Sequence, residues 1–482
     1  MLGALDSAVV MLHQFFMRSS FACAAILFLF ACGSDGGAPN ATGGGPGDDG
    51  TGASDGGDGA IAPHDGGATN DGGSAADAPM HSPIDVCKAK SGDLAWNLEI
   101  PARGALTLVD VVAGPTDDVI VADVADGASF EQHRWSSAGA PVSVHTDDRG
   151  AYTGTLFTSG LFVDASNAVF YGMLMTGMPQ GQGSAVQLVF TRLGANGTPL
   201  FTAKTNGTTS AQPTVKFLQV GGDATNQLHG AFTMSPKAIA DGVYCYDNSG
   251  GFLGASAVSL AAGLVSGDFT WPTPDNGLVA FEPVTANASF GCGTLSVPSG
   301  GGVALVKLTA SGSCVWNKLL ALPKASVQSA NFRVGVDGSL NAVVAYTGTI
   351  DFGGGPLHAG GASALAIARF DSNGNLAWAK SFPGASFTVG SLGVNARGTM
   401  IVTSRFSGAV DLGHGAIAGD TLLAALDSSG NVKWTRGVTV GQGKLVAAAG
   451  TCGFALATSS TSVDLGYGAI AHGGIGVATL GL

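Results

Sequence analysis

Charge is what this 482-residue sequence has least of. Asp, Glu, Lys and Arg make up 11% of it, less than half the usual share. The 21 Lys and Arg face 34 acids, for a net charge of −13. That balance excludes a basic field able to neutralise nucleic-acid phosphates. Beyond residue 32 no apolar run approaches the roughly 18 residues of a membrane-spanning helix, although the mean hydropathy is +0.31. An apolar chain without a spanning run fits a β architecture whose strands are buried on both faces. HExxH, GxSxG and CxxC are also missing, which removes the usual signatures of zinc proteases, serine hydrolases and dithiol or zinc sites. GVTVGQGKL at 437–445 has the wrong Gly spacing for a phosphate-binding loop, and Leu445 stands where Ser or Thr must hold Mg²⁺.

What is present begins with an address. Residues 17–32, MRSSFACAAILFLFAC, join a short positive region at Arg18 to an apolar stretch from Phe21 to Phe30, the pattern of a signal peptide. Met1 to Phe16 carry no targeting logic, so translation is expected to start at Met17. Leu29-Phe30-Ala31-Cys32 resembles the bacterial lipobox, with Phe30 where a small residue is usual. The resemblance implies cleavage after residue 31, diacylglycerol on Cys32 and membrane attachment through it, each buried CH₂ contributing about 0.8 kcal/mol. Residues 33–83 contain eight Asp and no Lys or Arg among Gly, Ala and Pro. Such a segment cannot offset its ordering entropy and reads, together with Cys32, as a disordered tether. Export would place residues 84–482 in the cell envelope, at the outer membrane or cell surface.

Those residues repeat themselves. FDSNGNLAWAKSF at 370–382 returns as LDSSGNVKWTRGV at 426–438 and appears earlier as LTASGSCVWNKLL at 308–320. Around each, four short β-branched or apolar segments recur in fixed order, bounded by Gly, Asn or Asp, as in FRVGVDGSL, NAVVAYTG, ALAIARFDSNG and NLAWAKSF. These are strand and hairpin signals, and the Gly of SNGN or SSGN supplies the positive φ that a tight hairpin demands. Weaker copies upstream hold Ser143, Phe201 and Gly254 in the Trp slot. The last copy has three segments, ending GIGVATLGL, while an orphan fourth, SGDLAWNLEI at 91–100, carries Trp96. A ring closed by the N-terminal strand follows, since closure leaves no long unprotected edge. The expected fold is all-β, a single β-propeller of seven four-stranded blades over 84–482, with the Trp residues packed between neighbouring blades.

The Gly-Asn hairpin followed by Trp resembles bacterial SBBP-type and quinoprotein-like β-propeller repeats. The spacer GTIDFGGGPLHAGG at 348–361 returns as GAVDLGHGAIAG at 408–419 and SVDLGYGAIAHGG at 462–474. It looks like the spacers of propeller lipoproteins in myxobacteria and their relatives. The likeness is good over about 260–482 and weak over 90–260. Quinoprotein dehydrogenases would imply a quinone and Ca²⁺, but nothing here supplies that ligand set, and no cofactor is carried over.

Several residues qualify as candidates. Cys87 precedes the orphan strand and Cys452 lies in the first turn of the blade it completes, on the same face of an up-down blade. A disulfide between them would lock the ring. Cys292 and Cys314 fall at opposite ends of the fourth blade in this register and are not expected to pair. Asp351, Asp411 and Asp464 recur in the D-[FL]-G spacer, where they either bind Ca²⁺ on one face or accept backbone N–H groups in their own turns. The turn reading is favoured, and no metal site is expected. Arg134, Arg192, Lys307 and Arg369 share one register near the end of the third strand. They form either a rung for an anionic ligand or charges snorkelling at the rim. His358, His414 and His472 lie near the spacers at unequal offsets, which suits solvated loops better than a metal ring.

The favoured function is therefore a lipid-anchored, non-enzymatic propeller that binds another envelope protein or a surface glycan. The loops between second and third strands, at 176–184, 285–302 and 349–362, are expected to make the contacts. A scaffold in outer-membrane protein assembly and a carbohydrate- or quinone-dependent enzyme are the alternatives.

Overall fold

The chain divides into two units, Met1–Phe30 and Ala31–Leu482. The computed structural model describes residues 84–482 apart from 128, 149–154, 178–183, 210–213, 223–227, 236–241, 248, 257–269, 276, 310–312, 324–325, 362, 442, 461, 465–468 and 472. All of these belong to the second unit. The leader, the Cys32 lipobox and the tether lie outside the described residues.

The described chain is an all-β propeller whose sheets follow one another along the sequence. The first sheet is Leu106–Ala113, Val119–Ala125, Ser129–Trp135 and Pro141–Asp148. The third starts at Thr214–Gly222, the fourth at Thr270–Pro272, the fifth at Val327–Val334 and the sixth at Ala385–Val394. Each runs antiparallel in chain order. Central strands such as Val169–Thr176 and Leu340–Tyr346 are buried along their whole length. Their near-continuous Val, Ile, Leu and Ala runs follow from packing sheet on sheet on both faces. Among the described residues the only helix is a single 3₁₀ turn, Val86–Lys88.

Among the described residues six sheets have four strands, against the seven four-stranded blades expected. The remaining sheet, the second, has five strands. Its first segment breaks between Leu156–Thr158 and Phe162–Val163, both of which pair with Val169–Thr176. At the break Ser159 Oγ accepts from Gly172 N (2.8 Å), and Leu161 N donates to Asp110 of the first sheet (3.0 Å). Side-chain bonds thus replace the ladder where the strand is interrupted.

The closing sheet has the order Leu94–Ile100, Ile475–Gly481, Gly453–Thr458, Leu445–Ala449. Leu94–Ile100 pairs antiparallel with Ile475–Gly481, from Leu94 opposite Leu480 to Ile100 opposite Ile475. Trp96 is fully buried and donates through Nε1 to Ser137 O of the first sheet (2.9 Å). Cys87 and Cys452 are disulfide-bonded, 365 residues apart. Lys444 adds a bond from Nζ to Val109 O (2.9 Å), and its burial lowers its pKa, with Asp110 opposing the shift.

The Trp slot explains the hairpin Gly in the next sheet. A Cβ on Gly430 would lie 2.8 Å from Trp378, and one on Gly374 would lie 2.8 Å from Trp316. Trp378 also donates from Nε1 to Ser428 O (2.9 Å). Gly is needed there twice over, for its positive φ, +80° at Gly430, and for close approach of the neighbouring ring. In the divergent copies Ser143 meets Gly197 and Phe201 meets Gly250 in the same way.

The D-[FL]-G spacers are flaps, not free loops. Thr349–Asp351 pairs with Pro356–His358, and Ser462–Asp464 with Ala469–Ala471. Asp351 bridges by backbone to Ala321 of the preceding sheet, and Asp464 to Thr439. Ile350, Phe352, Val410, Leu412 and Val463 are buried between sheets. Each such side chain contributes about 1.5–3 kcal/mol.

Candidate functional site at the mouth of the channel

In the first six sheets the first strand lies innermost, as Leu445–Ala449 does in the closing sheet, so the turn into the next strand borders one end of the central channel. A cavity of about 560 Å³ opens there. It is lined from residues 113–115 of the first sheet round to 449–451 of the closing sheet, with every sheet contributing. Much of its wall is backbone, because Gly114, Gly335 and Gly450 occupy the turns and Gly221 the end of a strand.

Most polar side chains at this mouth are already committed. Asp164 accepts from Arg192 (2.5 Å), Ser166 N (2.8 Å) and Ala168 N (3.0 Å). Asn395 donates to Gly450 O (2.7 Å) and accepts from Arg397 N and Thr399 N (2.9 Å each). The contrast is Arg333, half-buried, whose guanidinium carbon lies 4.9 Å from the centre of the Trp271 ring, within cation–π range. Among the described residues no carboxylate pairs with it. Trp271 Nε1 is buried without a hydrogen-bond partner. The mouth therefore offers an aromatic ring and one guanidinium, and suits an acceptor-rich, anionic ligand.

The basic rung does not meet this ligand space. Each member pairs with an Asp in the first turn of its own sheet. Arg134 binds Asp118 (3.0 Å), Arg192 binds Asp164, Lys307 binds Asp275 (2.5 Å) and Arg369 binds Asp337 (2.7 Å). Two members reach further. Arg134 donates to Asn167 O of the second sheet and Arg369 to Gly398 O of the sixth, both at 2.9 Å. The rung is a set of staples between turns, and its charge is spent. The sequence had offered an anion rung or snorkelling; the register was right and the partners were missed, because they sit one or two strands earlier in the chain.

The expected contact loops also fall elsewhere. Turns between second and third strands lie at the end opposite the cavity, and those of the later sheets fold back along the outer edge. Cys292 is disulfide-bonded to Cys314 at the start of the fourth strand, contrary to the expectation that the two sit too far apart. The physical reason is the flap Ala288–Ser289/Thr294–Leu295, which carries Cys292 back down the height of the sheet. His414 follows the same path and donates from Nε2 to Val432 O (3.0 Å).

Asp351 Oδ1 accepts from Gly353 N (2.6 Å) and Gly355 N (3.0 Å), and Asp411 Oδ1 from Gly413 N (2.7 Å) and Gly415 N (3.0 Å). These are the turn roles favoured for them. Asp464 pairs by backbone with Thr439. His358 Nδ1 lies 2.9 Å from Thr349 Oγ1, and His472 lies outside the described residues. No group of three potential ligands among the described residues contains Asp351, Asp411, Asp464, His358 or His414. Two such groups do form. Cys87, Asp117 and Cys452 surround the ring-closing disulfide. Asp123, Glu131 and His133 meet inside the first sheet, toward the end away from the cavity. Sequence reasoning missed the latter, although the E-x-H alternation in FEQHRW places two ligands on one strand face.

No family model and no curated protein matches the chain. Among solved structures, it is similar to a protein of unknown function from Dyadobacter fermentans at 10% identity, with 81% of this chain and 99% of that one covered and a TM-score of 0.34. It is similar to SapL1 lectin in complex with α-methyl fucoside at 10% identity, 72% and 97% coverage and a TM-score of 0.31. It is also similar to prolyl oligopeptidase B from Galerina marginata at 9% identity, 74% and 47% coverage and a TM-score of 0.36. At these similarities none of them says what this chain binds or catalyses.

Proposed function

We propose that the protein is a non-enzymatic binding module of the bacterial cell envelope, held to the membrane through lipid on Cys32, that takes an acidic surface glycan at the channel mouth. The observation that carries this reading is Arg333 stacked on Trp271 in a concavity shared by all the sheets. A sugar ring has an apolar face for the indole, and its carboxylate or sulfate would match a guanidinium that pairs with no carboxylate among the described residues. The cavity falls within the usual range for small ligands, about 300–1,000 Å³. Binding is favoured over turnover because Asp164, the carboxylate that lines the cavity, is held in structural hydrogen bonds to Arg192, Ser166 N and Ala168 N.

The test is titration of the full chain with uronic-acid and neutral oligosaccharides, followed by calorimetry. Acidic sugars should bind, and Arg333→Gln should weaken them about tenfold or more, the equivalent of one charge-assisted hydrogen bond. Equal binding of neutral and acidic sugars, or an affinity untouched by Arg333→Gln, would reject this reading.

A further inference from the structure

We propose that Asp123, Glu131 and His133 form a binding site for a divalent transition metal of the zinc class, inside the first sheet and separate from the channel mouth. The placement follows from strand geometry. Asp123 and Glu131 are directly opposed on neighbouring strands, so their side chains share a face. His133 is two residues beyond Glu131 on the same strand and points the same way.

His133 Nε2 lies 3.3 Å from Asp123 Oδ2 and 3.3 Å from Glu131 Oε2. The three ligand atoms lie within 4.8 Å of one another. Asp123 is 0% exposed, His133 5% and Glu131 8%. Neither oxygen of Asp123 and not Nε2 of His133 has a hydrogen-bond partner. A fully buried carboxylate with both oxygens unmatched costs several kcal/mol unless something else compensates it.

A proton on His133 compensates poorly. One N–H cannot serve two carboxylates, and 3.3 Å is longer than the roughly 2.7–2.9 Å of a charge-assisted bond. Neither contact has hydrogen-bond geometry. Arg103 reaches only Glu131, at 3.7 Å, and is largely in solvent. A divalent cation compensates well, since two carboxylates and a neutral imidazole balance its charge. The 3.3 Å from His133 Nε2 to each carboxylate is the spacing of neighbouring corners of a tetrahedron around an ion about 2.1 Å from each. The mixed nitrogen and oxygen set suits zinc-class ions better than Ca²⁺ or Mg²⁺. Trp135 stacks on the His133 ring, centroids 5.9 Å apart and planes 11° from parallel, which fixes the ring's orientation. Three protein ligands leave a fourth position for water.

The experiment is dialysis of the full chain against trace zinc chloride, then metal analysis and thermal melting with and without a chelator. One zinc per chain is expected, with a lower melting temperature after chelation. Asp123→Asn keeps the shape and removes the unmatched charge, so it should fold, yet bind zinc at least about tenfold more weakly and melt independently of chelator. His133→Gln should do the same. Metal content well below one per chain in the parent protein would overturn the proposal, as would undiminished zinc binding by Asp123→Asn.

Discussion

The fifth and sixth sheets keep the repeat, and the first two depart from it. In the former the Trp slot holds Trp, the hairpin keeps D-x-[NS]-G-N, and no charged side chain among the described residues is buried. In the latter the slot holds Ser143 and Phe201, while Asp110, Asp123, Glu131, His133, Arg134, Asp164 and Arg192 are all buried. The regular sheets are held by indole on glycine and by apolar flaps. The irregular ones are held by buried charge bound to turns and to neighbouring backbone. Interchangeable sheets need only the first kind of contact. The second kind is buried most deeply in the first two sheets, although the pairing of a third-strand cation with a turn Asp recurs in the fourth and fifth.

The sharpest test of that contrast compares one register in the two regions. Arg134 is 1% exposed and bonded to Asp118 and to Asn167 O. Arg369 has the matching pair, but its partner Asp337 is 45% exposed. Arg134→Ala should destabilise by about 3–5 kcal/mol, because it empties a buried site, removes the donor to Asn167 O and leaves Asp118 with Asn167 Nδ2 in place of an ion pair, whereas Arg369→Ala should cost about 1 kcal/mol. Urea unfolding of the two variants measures the gap, and equal losses would remove the distinction between the regions.

The next effect runs the other way. Trp378→Ala in the fifth sheet deletes a half-buried ring packed on Gly430 and its bond to Ser428 O, and should cost about 2–3 kcal/mol. Ser143→Ala, the same slot in the first sheet, should stay within about 0.5 kcal/mol. A Ser143 variant as damaging as the Trp378 one would show that the slot matters whatever fills it.

The smallest effect is in acid. Burial pushes the Asp147 carboxyl up, but hydrogen bonds from His145 and Tyr171 outweigh it and leave the pKa below the ordinary 3.8. For Asp275 burial is likewise outweighed, by Lys307 and Thr273. A lowered folded pKa means that the unfolded chain takes up the proton first. The stabilisation is present above the ordinary carboxylate value and lost as pH falls through the depressed one. Melting temperature should therefore drop below about pH 4, and Asp147→Asn should flatten part of that drop. An acid limb unchanged by Asp147→Asn would detach the Tyr171–Asp147–His145 group from stability.

Much of the ring was legible because its signals are local and periodic. The Gly-Asn hairpins, the Trp slot and the orphan strand around Trp96 place the closing sheet, with Cys87 and Cys452 in the turns that meet there. What could not be read depends on how segments fold back or face one another. The Cys292–Cys314 bond needs the flap to run down the sheet, which no spacing announces. The five-stranded second sheet turns on a break at Gly160 whose bonds come from Asp110, fifty residues earlier. The channel mouth is assembled from short turns of every sheet, and Arg333 with Trp271 come from different repeats. The Asp123–Glu131–His133 group needs cross-strand register, which a one-dimensional pattern leaves open.

Ring closure by Leu94–Ile100 also sets an order of events. This strand is the first of the propeller to be synthesised, yet its hydrogen-bonding partner, Ile475–Gly481, is the last. Until then its apolar edge stands open through the making of every other sheet, and contacts so distant in sequence form slowly. A nascent chain of this kind carries an open edge, the type of surface on which strands of other chains pair.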